Sequence, residues 1–235
     1  MSETILVPEL APRRGALGKL KARLRDRGMI GTLRKLWADR VFRKRHAFVM
    51  ARPISADIPD VRGPDNDTTL LIVRRIADLP PLTGWLEGRD ADYADLLERG
   101  STGCFALHAG RAVAACWVNT ADFKDRNLGL RVRVPQGHAY AHSMLVDHAH
   151  RDGGLARKMG AEMIRFLHES GITHAFTYVV FDNEASYRFQ RALGLEESDR
   201  MMAEYFVFGK MIQRQRRHTP PSAPAAWRQP RVSKA

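Results

Sequence analysis

A chain of 235 residues, 44% hydrophobic and 27% charged, has the size and composition of one globular domain with extensions. That composition excludes a collagen, a coiled coil or a wholly disordered chain, and no apolar run approaches the roughly 18 residues of a transmembrane helix. The formal charge of +12 sits at the ends: residues 1–52 carry 14 Lys and Arg against 4 Asp and Glu, residues 210–235 carry 7 against none, and residues 53–209 carry 17 against 22. A mildly acidic centre argues against nucleic acid as a partner, whereas the basic ends leave room for an anionic surface. The opening Met1–Leu10, with Glu3, Pro8 and Glu9, does not read as a secretory leader. Cys104 and Cys116 are too few for a disulfide framework, so free thiols and a cytoplasmic location are expected.

Residues 1–52 read as a basic helical extension. Leu17, Leu20 and Leu24 recur at helical spacing, as do Ile30, Leu33, Trp37 and Val41 after a break near Arg27–Gly28. Such a stripe fits packing on the main domain or lying on an anionic membrane, which would make the protein peripheral there. Residues 53–67 are Pro- and Asp-rich and read as a linker, 68–212 as the folded domain, and 213–235, with four prolines, as a disordered basic tail.

Within the domain, Thr69–Ile76 reads as a strand and Asp90–Arg99 as a short helix. Gly103–Leu107 and Arg111–Val118 form a hairpin about Ala109–Gly110, with Cys104 and Cys116 nearly opposite as small core residues. Tyr140–Val146 follows as a strand, and Leu155–Ser170 as a helix stopped by Gly171. Then come the strand Ile172–Phe181, the helix Asn183–Leu193 and a last strand Met201–Phe208. Strands alternate with helices only in the second half, so the fold class is α/β with a mixed sheet.

The most informative stretch is Arg151-Asp152-Gly153-Gly154-Leu155-Ala156, between a strand ending at Val146 and a helix start. A helix start leaves backbone N–H groups unpartnered at the positive end of the dipole, and glycines let a phosphate approach them. Strand, Gly-rich turn and helix together make a pyrophosphate site, to which Arg157 and Lys158 add positive charge. It is neither a dinucleotide fingerprint nor a P-loop. About thirty residues on, Asn183 opens a helix that ends in Gly194–Leu195.

These spaced signals over Val146–Leu195 resemble the acyl-CoA-binding half of the GCN5-related N-acetyltransferase superfamily; residues 69–145 match it in element order alone. The resemblance implies a splayed central sheet flanked by helices, with the strands at 140–146 and 172–181 parting around acetyl-CoA or another acyl-CoA as co-substrate. Backbone groups of Leu145 and Val146 would pair with the pantetheine arm. Arg151, Asp152, Gly153, Gly154, Leu155, Ala156 and Arg157 would hold the pyrophosphate. Asn183, with Gln190 on the same helical face, would contact the pantetheine or its loop. The implied reaction is acyl transfer, most simply of acetyl, to a small-molecule or peptide amine by direct attack on the thioester. Non-catalytic acyl-CoA binding, and membrane-surface transfer from a longer acyl-CoA, remain alternatives.

Direct attack needs a base for an ammonium acceptor and an acid for the departing thiolate. His142, and second His138, lie at alternate positions of one strand and are the candidate bases. Many family members carry a Tyr seven residues after the helix-opening Asn; here that position is Gln190, which cannot donate a proton of suitable acidity. Tyr187, one turn earlier, is the substitute acid, unless the thiolate leaves unassisted. His148 and His150 lack a third ligand, so no metal site is expected. Acceptor residues would come from the loops Thr83–Arg89 and Thr120–Val134, where Phe123, Leu128 and Leu130 either line a pocket or pack.

Overall fold

The computed structural model describes residues 42–58, 67–125, 130–151, 154–208 and 210–219. The chain divides into two compact units, Met1–Arg43 with Phe206–Lys210, and Lys44–Tyr205 with Met211–Ala235. Of the first unit, the described residues are only strand ends and the turn residue Phe208. The helical readings over residues 17–41, and the membrane contact attached to them, lie outside the described residues, as do most of the linker and residues 220–235 of the tail.

In chain order the strands and helices are β1 (Phe42–Pro53), β2 (Thr68–Val73), α1 (Asp90–Glu98), β3 (Thr102–His108), β4 (Arg111–Asn119), β5 (Phe123–Asp125), β6 (Leu130–Val132), β7 (His138–Val146), α2 (Leu155–Glu169), β8 (His174–Val180), α3 (Glu184–Ala192), β9 (Glu196–Val207) and β10 (Lys210–Arg217). Among the described residues, eight strands form one sheet in the order β10-β9-β1-β8-β7-β4-β3-β2, and β5 with β6 forms a separate pair. The sheet is mixed: β7 and β8 run parallel, whereas β1–β8, β2–β3, β3–β4 and β4–β7 are antiparallel.

Three sequence readings need correcting. Residues 42–52 are not part of a helical arm: they belong to β1, which lies between β8 and β9. The basic residues at its start read as a solvated surface, but Ala47, Phe48 and Met50 are buried, and β1 pairs with β8 from Ala47↔Val180 to Pro53↔His174. Residues 213–217 are likewise not tail but the end of β10, a second strand after the one expected near 201–208. Its Lys and Arg content suits an edge strand. The first domain strand is also shorter than expected, ending at Val73 before a 3-10 turn at Ile76–Asp78.

The period-two alternation of strands separates the core into two faces. Cys104, Ala106, Ala114, Cys116 and Val118 pack with Met159, Met163 and Leu167 of α2. Phe105, Ala115 and Trp117 point the other way, onto Tyr93 and Leu97 of α1. Next to that second group, Tyr140, Phe123, Val132 and Phe176 form a further cluster under the β5–β6 pair. Cys104 and Cys116 are register partners, buried and unbridged, as expected from the hairpin. Helices α2 and α3 approach closely at Gly160, where a Cβ would lie 2.5 Å from Leu193 Cδ1.

Candidate active site

Strands β7 and β8 pair in parallel over three residues, His138↔His174 to Tyr140↔Phe176, and then separate. A cavity of about 720 Å³ occupies the opening. It is bounded by β7 from Tyr140 to Val146, by Thr177, Tyr178 and Val180 of β8, by Met163, Ile164 and Leu167 of α2 and by Phe189 and Gln190 of α3. The backbone edges of β7 and β8 that face each other across the gap are thus available to a ligand that carries amide groups.

Helix α2 begins at the upper end of this cavity. Its N-cap is Gly154, at φ +78, a residue with no side chain of its own to cap the first amides. A left-handed φ favours glycine, and an uncapped helix start is suited to an anion. Ala156 and Arg151 line the cavity there. Arg151 donates from Nε to the Val146 carbonyl at 3.1 Å, and its guanidinium lies 4.5 Å from the centre of the Trp85 ring. The Trp85 turn is itself anchored, because the Trp85 and Ala149 amides both donate to the Asp147 carboxylate and hold its pKa below the ordinary value.

Of the expected pyrophosphate and pantetheine residues, Leu145, Val146, Arg151, Ala156, Asn183 and Gln190 line the cavity. Asp152 and Gly153 lie outside the described residues. Gly154 and Leu155 are not among the lining residues, and the Leu155 side chain is fully buried in the core. Arg157 is not among the lining residues. The Val146 carbonyl is already an acceptor for Arg151, which leaves the pairing expected of Val146 to compete with that bond. Asn183 caps α3, its Oδ1 accepting from the Ser186 amide at 3.1 Å. Gln190 faces the cavity beside it.

The three candidate proton-transfer residues separate. His142 is in the cavity wall, at the turn of β7 where the β4–β7 register shifts and Ser143 takes φ +53. A bulge of this kind re-aims a strand and leaves a residue out of the ladder. The Asn119 amide donates from Nδ2 to Ser101 Oγ at 2.9 Å, turning its Oδ1 toward His142 Nε2 at 2.7 Å. His142 therefore carries its proton on Nε2, and Nδ1 accepts from Ser143 Oγ at 3.0 Å. Burial pushes its pKa down to about 4, against an opposing pull from Asp125. A neutral, doubly bonded imidazole is well placed to orient groups but is a weak sink for an ammonium proton.

His138 and Tyr187 are elsewhere. His138 lies at the paired end of β7, stacked on His174 at 4.8 Å, and does not line the cavity. Tyr187 is also absent from the lining; its ring packs near Phe48, and its hydroxyl donates to Glu197, whose other oxygen bonds His218. Burial and that carboxylate push the Tyr187 pKa up to about 12. The spacing of 183, 187 and 190 describes a broad helix face, and Tyr187 falls on its far margin.

Sequence reasoning did not find the polar groups at the inner end of the cavity. Asp125 is buried at 2% exposure and accepts the Tyr140 hydroxyl at 2.6 Å. Tyr178 also faces the cavity, with its pKa raised by burial, and so is a protonated phenol at neutral pH. Asp125 belongs to a three-residue strand in a stretch that reads as loop, and no spacing pattern points to it. Arg52, another lining residue, donates from Nη1 to the Leu193 carbonyl at 2.6 Å and so caps the C-terminal end of α3. Among the described residues, no group of three His, Cys, Asp or Glu side chains is placed to hold a metal ion, and no helix is long and apolar enough to cross a membrane.

No curated protein matches the chain. Among solved structures it is similar to a GCN5-related N-acetyltransferase from Sphaerobacter thermophilus, with 17% identity and a TM-score of 0.45 over 74% of this chain and 56% of that one. It is also similar to one from Kribbella flavida, with 15% identity and a TM-score of 0.44 over 74% of this chain and 62% of that one. A putative acetyltransferase from Novosphingobium aromaticivorans is 13% identical, with a TM-score of 0.45 over 72% of this chain and 68% of that one. The chain spans less than two thirds of the length of the first two. The family model for the acetyltransferase (GNAT) family matches residues 71–195, more than half of the chain, so the chain belongs to that family.

Proposed function

We propose that the chain transfers an acyl group, most simply acetyl, from acyl-CoA to an amine. The observation that carries this reading is the parting of β7 and β8 into a cavity that runs to the Gly-opened start of α2. Its parts suit the parts of the co-substrate. The pantetheine amides meet the facing edges of β7 and β8, and the diphosphate meets the amides of Gly154 to Ala156 with Arg151 alongside. The thioester falls near the β7 bulge at Ser143 to Leu145.

In the reaction, the amine lone pair forms a C–N bond to the thioester carbon and the C–S bond breaks, its electron pair leaving on the CoA sulfur. The amine gives up one proton and the thiolate gains one; an acceptor that arrives as an ammonium releases one more to solvent. Fixed dipoles at the bulge stabilise the oxyanion without reorganisation. His142 serves as a neutral orienting group in the wall, and Tyr178 is the phenol best placed to protonate the leaving thiolate.

Calorimetry of the full chain with acetyl-CoA tests the reading. Binding is expected, with affinity reduced about tenfold or more in Gly154→Val, whose Cβ branching opposes the left-handed φ and obstructs the amides. Absence of binding at millimolar acetyl-CoA by the folded protein would overturn it.

A further inference from the structure

At the β7 bulge the cavity wall holds a chain of three side chains, Ser143, His142 and Asn119, whose order the direct attack of an amine does not use. We propose that Ser143 is a nucleophile: when no amine is bound, its hydroxyl takes the acyl group from acyl-CoA as an oxygen ester, which water then hydrolyses, so that the chain is also a slow acyl-CoA hydrolase. The inference rests on the acyl-CoA reading and adds a second fate for the acyl group.

The first argument is the local backbone. In a regular strand, adjacent side chains point to opposite faces. The β4–β7 register passes from Trp117↔His142 to Ala115↔Leu145, so Ser143 and Met144 together oppose the single residue Cys116. Ser143 takes φ +53, in the left-handed region that a residue with a Cβ seldom adopts. That turn of the backbone brings the Ser143 hydroxyl to 3.0 Å from Nδ1 of its neighbour His142. Bulges beside a site re-aim a side chain, and strained backbone gathers where function maintains it. Here the re-aimed group is a hydroxyl.

The second argument is the order of the hydrogen bonds. Ser101 and Asn119 are both buried, and the Asn119 amide is held by Ser101 with its Oδ1 on His142 Nε2 at 2.7 Å. That acceptor fixes the ring proton on Nε2 and turns the Nδ1 lone pair to the Ser143 proton. Nucleophile, base and orienting acceptor follow one another within hydrogen-bond reach, the arrangement that activates a hydroxyl in hydrolases. Relative to a Ser-His-Asp chain the two ring nitrogens exchange parts, and an amide replaces the carboxylate. An amide fixes the tautomer but gives no charge to support an imidazolium, and burial holds the His142 pKa down at about 4. The base is therefore in its accepting form at neutral pH but weak, which makes the acylation slow.

The third argument is placement. His142 and Ser143 line the cavity assigned to acyl-CoA and also a second cavity, of about 320 Å³, that meets the first at this point. A thioester at the bulge lies beside the hydroxyl, and water reaches the ester once CoA has left. In the first step the Ser143 oxygen bonds to the thioester carbon and its proton moves to His142 Nδ1. The C–S bond breaks with its electron pair on sulfur, and the imidazolium gives the proton to that sulfur. In the second step water adds to the ester carbon through the same base, the bond to the Ser143 oxygen breaks, and that oxygen regains a proton. The sum is acyl-CoA and water giving a carboxylic acid and CoA thiol. An oxygen ester is less reactive toward attack than a thioester, so the second step is the slower and the acyl-serine accumulates.

The test uses the full chain with acetyl-CoA in amine-free buffer, at concentrations that saturate each protein by calorimetry. Thiol detection should show a burst of about one CoA per chain, followed by slower release. Intact mass should rise by one acetyl group, and fragmentation of the wild type should place it on Ser143. Ser143→Gly, which accepts the left-handed φ, should show neither burst nor added acetyl, and His142→Gln should slow the burst about tenfold or more. Mapping on the wild type decides the residue whether or not the variants fold. No burst from wild-type protein that binds acetyl-CoA, an equal burst in Ser143→Gly, a burst rate indifferent to His142→Gln, or an acetyl on another residue such as Cys116 would overturn the inference. Failure of the wild-type chain to bind acetyl-CoA would instead strike the parent reading.

Discussion

Lowering the pH should destabilise the fold through His142, and the size of the effect follows from its surroundings. The ring lies between Phe123 and Tyr140, and its two nitrogens are committed to Asn119 and Ser143. Desolvation takes its pKa from 6.5 to about 4, with Asp125 opposing the shift and Arg99 adding to it. Above pH 6.5 the ring is neutral in both folded and unfolded chains and contributes nothing. Between 6.5 and about 4 the unfolded chain binds a proton that the folded chain refuses, so stability falls as the pH drops and levels off below about 4. At 1.36 kcal/mol per unit the full effect is about 3 kcal/mol, of which about 2 kcal/mol is reached at pH 5. For a domain of this size that is a Tm loss of about 4–8 °C. Thermal or urea unfolding of wild type and His142→Gln at pH 7 and pH 5 isolates this ring, because the other titrating groups are common to both proteins. The wild type should lose about 2 kcal/mol more than the variant over that interval. An NMR titration of the wild-type His142 ring gives a second measure independent of the substitution. Parallel pH slopes, together with a ring that titrates near 6.5, would refute the reasoning.

Two further outcomes check the corrected parts of the structure. Met50→Ala should cost about 2–5 kcal/mol in urea unfolding, the ordinary range for truncating a fully buried methionine; a loss below about 0.5 kcal/mol would mean that residues 42–53 are a detachable arm after all. Tyr187→Phe should lower stability by about 1–3 kcal/mol through the lost bond to Glu197. Its kcat should match the wild type into the alkaline range, and an alkaline loss of kcat would return Tyr187 to the mechanism.

The second half of the domain was legible because its signals are local. Apolar spacing marks α2, Gly171 and Gly194 mark helix ends, and a Gly-rich turn after Val146 marks the start of α2, each within a few residues. The Cys104–Cys116 pairing followed from a turn at Ala109–Gly110 and simple counting along two strands. The features that the sequence concealed depend on tertiary partners. Three consecutive basic residues come directly after Phe42, and only the covering by β8 and β9 makes a central strand of residues 42–53. Asp125 lines the cavity and accepts from Tyr140, fifteen positions away, in the core. Strand alternation puts His142 on the face that lines the cavity, but its environment is set by Asn119 and by two flanking rings, none of them readable from the spacing of histidines. Tyr187 shows the converse limit: helical spacing identifies a face about 100° wide, and an aromatic at the margin of such a face chooses the core.

The position of β1 also bears on why the cleft exists. A parallel strand released from its neighbour along half its length leaves backbone N–H and C=O groups without ladder partners, an arrangement that would expose a second free edge if the strand were unsupported. β8 avoids this because its other side is paired with β1 over seven register positions, from Ala47↔Val180 to Pro53↔His174, against three with β7. Its alignment is therefore fixed from the side away from the cavity, and the edge facing β7 is left for a ligand without cost to the strand's own order. β7 is held in the same way from its far side by β4, with the bulge at Ser143 turning the strand at the point where the two cavities meet. The strand contributed from outside the family-matched segment is thus part of what keeps the opening between β7 and β8 open, and a chain beginning after residue 53 would lose the support on which that opening depends.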